Sequence, residues 1–281
     1  MSDSIFLADG ELLVPTEHAR GPWDPGTLHG GAPAALIASA FERMEPGAEL
    51  PFARLSFEFL RPVPMEPLKL TTYMSRPGRR VQALGGELSA GGVTVCRATA
   101  LRIVAVPVEL PELADAQVTA ARPEAIAPPE SGHDVLFALD DMERRSFAAS
   151  AMEMRFLNGH PLAGELPEQD TTSNHVPTGA ATVWMRLRYP LLPDEPLTPL
   201  ARVAATSDFG NGVAAVLPFD EYLFINADLT ISLNRRPVGE WVALDAHTLL
   251  HPEGIGWAES VLLDELGPLG RATQALVVQR R

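Results

Sequence analysis

Residues 54–63 read RLSFEFLRPV, and residues 228–238 read DLTISLNRRPV. Both alternate apolar and polar positions and then stop at proline, which has no N–H to give to a central ladder. Both therefore read as strands that end in the same way. Widening the window extends the likeness. Residues 53–56, ARLS, lie 174 positions before residues 227–230, ADLT, and Arg97-Ala98-Thr99 recurs as Arg271-Ala272-Thr273 at the same offset (271 − 97 = 174). Between these anchors Arg61-Pro62-Val63 matches Arg236-Pro237-Val238 at 175, which one extra residue explains. Three collinear matches at a nearly constant offset point to an internal duplication.

Each copy continues with the same punctuation. LKLTTYMSRPG (68–78) and EWVALDAHTLLHPEG (240–254) run into a Pro-Gly turn, RVQALGGELSAGG (80–92) and GWAESVLLDELGPLG (256–270) reach a second turn, and VTVCRATALRIV (93–104) and RATQALVVQ (271–279) close the units. The pattern is three or four antiparallel strands joined by short turns. Ahead of the first set, HGGAPAALIASAFERM (29–44) reads as a helix with Leu36, Ala40 and Met44 on one stripe and Pro33 in the tolerant first turn. Ahead of the second, LTPLARVAATSDFGNG (197–212) reads as a helix stopped by Gly210 and Gly212. A helix followed by an antiparallel sheet, twice, is an α+β arrangement.

The expected domains are residues 1–106 and 133–281, joined by a Pro-, Ala- and acid-rich linker, 107–132, within a region read as an extended connector. The stretch 157–179 reads as a long loop interrupting the opening strands of the second copy. With 281 residues and 46% hydrophobic content, two cores are within reach, and a net charge of −14 without a basic run argues against nucleic acid. Cys96 alone excludes an internal disulfide framework and reads as a buried, inert thiol. No run of about 18–20 apolar residues calls for membrane insertion, and the acidic start lacks the basic region of a secretory signal. The expected location is the cytoplasm.

Taken with GPWDPGTLHGGAPAAL (21–36), ATSDFGNG (205–212), FINADLTISLNR (224–235) and GRATQALVV (270–278), this order resembles the double-hotdog acyl-CoA thioesterases over most of the chain outside the linker. The resemblance implies a tandem double hotdog, each half a central helix wrapped by a curved antiparallel sheet. It also implies hydrolysis, without a cofactor, of an acyl thioester carried on CoA or a carrier protein. In that family an Asp at the helix, a Thr or Ser opening the next strand and a Gln in the last strand hold the attacking water. Asp208 and Gln274 match two of these positions; the middle one falls on Asn226, a departure from the hydroxyl pattern.

The residues carry the same chemistry on their own terms. A thioester is already activated, so hydrolysis needs a water made nucleophilic and donors facing the developing oxyanion. A carboxylate accepts the water's proton while amides orient it, and Asp208, Asn226 and Gln274 supply one carboxylate and two amides. Gly30 and Gly31, at a helix start, let a carbonyl approach backbone N–H groups, with His29 lining the same place. At offset 174, Asn226 corresponds to Phe52 and Gln274 to Ala100, so the polar set is confined to the second copy and the first presents a dry wall. Glu42, the first carboxylate after Asp24, reads as solvent-facing. Each residue has a plainer reading: Asp208 as a helix-end loop residue, Gln274 as a satisfied core amide, Asn226 as a turn former and His29 as a loop cap. Asp245 and His247 share a strand face without a third ligand, so no metal is expected.

Two other functions stay open. A hotdog hydratase or dehydratase needs a His paired with an acid, and no histidine sits beside a carboxylate on either helix. A non-catalytic acyl-thioester-binding protein would fit Asn226 in place of a hydroxyl. Tandem copies already supply the pairing of two domains, so a homo-oligomer is neither required nor excluded.

Overall fold

The protein is described by a computed structural model covering residues 3–44, 50–120, 124–134, 145–159, 179–219 and 221–281. The loop expected at 157–179 therefore lies mostly outside the described residues. The first half supplies β1 (Phe6–Asp9), β2 (Leu12–Pro15), α1 (Gly31–Arg43), β3 (Phe52–Phe59), β4 (Leu68–Arg76), β5 (Val81–Ala90) and β6 (Val93–Ile103). After α2 (Glu112–Ala120), the second half supplies β7 (His133–Asp134), β8 (Met152–Asn158), β9 (Ala180–Leu187), α3 (Pro199–Ser207) and α4 (Gly210–Val213). It ends with β10 (Tyr222–Asn226), β11 (Asp228–Leu233), β12 (Val242–His251), β13 (Ile255–Asp264) and β14 (Gly267–Arg280).

The strands form one antiparallel sheet in the order β1-β2-β4-β5-β6-β3-β11-β14-β13-β12-β9-β8-β7, with β10 off this path beside β14. Read outward from the β3–β11 seam, the two halves repeat each other. Ser56 pairs with Thr99, Thr99 with Gly85 and Gly85 with Tyr73; Thr230 pairs with Thr273, Thr273 with Glu259 and Glu259 with His247. Every member of the second ladder stands 174 after its counterpart (230 − 56, 273 − 99, 259 − 85, 247 − 73). Ser56 and Thr230 also pair with each other across the seam, so a pseudo-twofold axis passes through that pair. The extra residue of the second copy, between Leu229 and Arg236, is absorbed before β12, because the β4 and β12 registers return to 174.

Both main helices lie inside the rolled sheet and pack against one another. This corrects the single stripe on α1: every residue from Gly31 to Ser39 is buried, because β-strands cover one side and α3 the other. Small side chains make this approach possible. A Cβ on Gly86 of β5 would stand 3.0 Å from the Phe41 ring and 3.2 Å from Ile37 of α1.

The linker is not extended throughout. Its first part forms the mostly exposed α2, and its later part lies across the outer face of the second half, where Ile126 packs on the cluster around Trp184 and Leu263. Trp184 donates its indole N–H to the Ala127 carbonyl at 2.8 Å. Among the described residues no helix is long and apolar enough to cross a membrane.

Candidate active site

The centre of the site is built where the two helices meet end to end. Thr198 caps α3 by accepting the Ala201 N–H, Pro199 occupies its first turn, and the helix ends with Asp208 as its C-terminal cap. Gly210 does not simply stop the chain, as its sequence context suggested; it opens the single turn α4. The end of α3 delivers Asp208 to the start of α1. A Cβ on Gly30 would lie 2.8 Å from Asp208 Oδ2, and one on Gly31 would lie 2.7 Å from the Ala205 carbonyl oxygen. The glycine pair is thus required for the helix ends to touch, a constraint beyond the access for substrate that the sequence suggested. The carboxylate in turn faces the start of α1.

Asp208 is 3% exposed and both its carboxylate oxygens are engaged. Asn226 donates from Nδ2 to Oδ1 at 2.9 Å and also to the Asp228 carbonyl at 3.2 Å. His29 Nδ1 stands 3.0 Å from Oδ2. Gln274, 2% exposed on β14, donates from Nε2 to the backbone carbonyl of Asp208 at 3.0 Å. Of the residues singled out from the sequence, Asn226 reaches the Asp208 carboxylate and Gln274 its backbone carbonyl, while His29 and Gly30 lie against the other carboxylate oxygen.

His29 Nδ1 is also 3.0 Å from the Gly31 N–H. One ring nitrogen cannot both donate to Asp208 and accept from Gly31: with Nδ1 unprotonated it accepts the Gly31 N–H, and with Nδ1 protonated it meets the carboxylate. The imidazole is held by aromatic neighbours, stacked on Phe209 with centroids 4.3 Å apart and tilted against Phe147 at 5.1 Å. Phe147 comes from a π-helical turn, Phe147–Ala151, that sequence periodicity did not reveal. The His29–Asp208 contact also corrects the expectation that no histidine meets a carboxylate, since the two belong to different halves.

The first copy is not a dry wall. Glu42, expected to face solvent, turns inward at the end of α1 and accepts the Leu200 N–H at the start of α3 at 2.9 Å. Desolvation by burial pushes its carboxyl above the ordinary Glu range, against the lowering influence of Thr198, Leu200, Arg102 and Arg202. Arg102 of β6, 2% exposed, donates to the Phe41 and Met44 carbonyls at 2.6 and 2.8 Å, and its guanidinium lies over the Phe52 ring. Each helix end thus gives a carboxylate to the other helix's start and receives a donor from its own last strand: Asp208 with Gln274 in one copy, Glu42 with Arg102 in the other. The Ala100 and Phe52 positions gave no hint of this, because the donor moved two residues along β6.

Other candidates lie elsewhere. Asp245 accepts from Thr182 Oγ1 at 2.9 Å, and His247 stacks edge-on against Trp257, so their shared face is occupied by ordinary packing. Among the described residues no group of three or more His, Cys, Asp or Glu is placed to hold a metal. Cys96 is buried on the face of β6 turned to α1.

Comparison with known proteins bears on the family and the fold. A family model described as the acyl-CoA thioesterase N-terminal domain matches residues 19–103, and one described as the acyl-CoA thioesterase C-terminal domain matches residues 125–278. Among curated proteins no match was found. Solved structures share the fold: a TesB protein of Mycobacterium avium subsp. paratuberculosis is 18% identical with a TM-score of 0.61, covering 98% of this chain and 96% of its own. A hot dog fold protein of Alicyclobacillus acidocaldarius is 16% identical with a TM-score of 0.68, covering 98% and 95%. The acyl-CoA thioesterase II TesB2 of Mycobacterium marinum is 16% identical with a TM-score of 0.60, covering 94% and 98%.

Proposed function

Because this chain belongs to the acyl-CoA thioesterase family, matched in both halves, we propose that Asp208, Asn226 and Gln274 hold the water that hydrolyses its acyl-CoA substrate. The observation that carries this reading is the convergence of the two amides on Asp208, one on its carboxylate and one on its carbonyl. Asp208 accepts a proton from the water as the water oxygen bonds to the thioester carbon. Gln274 keeps one N–H and one lone pair to orient that water, and Asn226 holds the carboxylate in place. At the start of α1 the Gly30 N–H serves the developing oxyanion. The C–S bond then breaks, the proton passes to the departing thiolate, and the products are a free acid and CoA thiol.

The His29–Asp208 contact also suits a hydratase, which needs a His–acid pair. Hydrolysis is preferred because the family match and the two amides both favour a held water. The substitution Asp208→Asn removes the base while keeping the shape. Since a positioned general base contributes about 10²–10⁴-fold, free CoA release from a panel of acyl-CoAs is expected to fall at least about tenfold, with little change in Tm. Equal rates for variant and parent would make Asp208 structural, and enoyl-CoA hydration by the parent without CoA release would favour the hydratase.

A further inference from the structure

Asn211 has no part in the scheme above, yet it bonds the Gln274 amide directly and the strand that carries Asn226. We propose that Asn211 is the positioning residue that sets Asn226 and Gln274 against Asp208; the proposal rests on the site reading just given.

The first observation concerns β10. This strand pairs with β14 alone and lies off the main path of the sheet, so its other edge has no strand beside it among the described residues. A buried carbonyl on such an edge is costly to leave unpaired. Asn211, 6% exposed, supplies the missing partner: its Nδ2 donates to the Phe224 carbonyl at 2.9 Å. Phe224 and Asn226 are two residues apart on the same face of the strand, about 7 Å along it. Pinning the Phe224 carbonyl therefore fixes how far Asn226 reaches toward Asp208.

The second observation concerns Gln274. The Asn211 backbone N–H donates to its Oε1 at 3.0 Å, which leaves Nε2 as the atom facing the Asp208 carbonyl. A flipped amide would set donor against donor and acceptor against acceptor. The α4 turn is lodged tightly enough to enforce this. A Cβ on Gly210 would stand 2.9 Å from Ser260 Oγ and 3.0 Å from Gln274 Oε1. One short turn thus orients both amides, one through a side chain and one through the backbone.

The test is a double-mutant cycle on the full chain, read as kcat for decanoyl-CoA hydrolysis. A residue that acts through another adds nothing once that other is gone. Since small misplacement of a catalytic group can cost as much as about 10²-fold, Asn211→Ala is expected to lower kcat about tenfold with KM nearly unchanged. The Asn211→Ala/Asn226→Ala double variant should then be no slower than Asn226→Ala alone, and Asn211→Gln, which keeps a donor, should recover part of the loss. If Asn211→Ala fails to fold, Asn211→Leu, which keeps the volume and removes the donor, provides a second cycle: its loss should vanish in an Asn226→Ala background. Multiplying losses in the available cycle, or an Asn211→Ala kcat equal to that of the parent while Asn226→Ala is impaired, overturns the proposal and leaves the site reading standing. Parent-like kcat in both Asp208→Asn and Asn226→Ala removes the site reading, and this proposal with it.

Discussion

Gln274 spends one donor and one acceptor on protein partners, and removing it leaves the Asn211 N–H and the Asp208 carbonyl without theirs. An unsatisfied buried group costs about 1–3 kcal/mol, so Gln274→Ala should both slow hydrolysis and lower the denaturation midpoint, a double signature that Asp208→Asn should lack. Parallel kinetics and urea melts would show it. At the same scale, burial drives the Cys96 thiol up to about 12, with Asp208 and Glu58 adding to the effect. The thiolate is the reactive form, so native protein should resist iodoacetamide at pH 8 and react on unfolding. Labelling followed by mass spectrometry distinguishes the two. Here the sequence was informative: a lone cysteine among strand residues already read as buried. The partners of Gln274 were not legible, since they are backbone groups 63 and 66 residues away.

Glu42 carries the comparable argument for a whole helix. Its carboxylate serves the start of α3, and losing a cap of this kind costs about 0.5–2 kcal/mol, so Glu42→Ala should be destabilised by that order. The pH dependence has a definite sign. Burial raises the folded-state value of Glu42, so the unfolded chain ionises first as pH rises from about 4.3. Stability from this group is full below that point and is lost as pH climbs through the raised folded value. Glu42→Gln keeps an oxygen for Leu200 and abolishes the slope, so its Tm relative to the parent should be higher at pH 7 than at pH 4. Thermal melts at the two values test this. Helix periodicity showed where α1 runs, but the face toward α3 cannot be read from α1 alone.

Across the molecule, the pseudo-twofold makes a prediction about what symmetry does not restore. Ala100 stands where Gln274 stands in the other half, but the carbonyls at the end of α1 are already taken by Arg102. An amide placed there by Ala100→Gln finds no such partner, so the variant should lose about 1–3 kcal/mol and gain no activity. Denaturant unfolding and kcat measured together would decide it, and a rise in kcat would mean the first copy had regained a site.

The repeat, the strands and the 174-residue register were determined by the sequence alone, because alternation and turn residues act between neighbours and a duplication copies them intact. The side chains worth watching in the second copy came from the resemblance to the double-hotdog acyl-CoA thioesterases. Only the tertiary structure decided that the start of α1 meets the end of α3, and so that His29 reaches Asp208, that Glu42 turns inward to Leu200, and that Asn211 braces a strand beyond its own turn. Those contacts arise from two buried helices packing about a pseudo-twofold axis inside one rolled sheet. Helix-end groups then satisfy whatever polar partner the other copy presents, and no local pattern in either copy specifies which one that is.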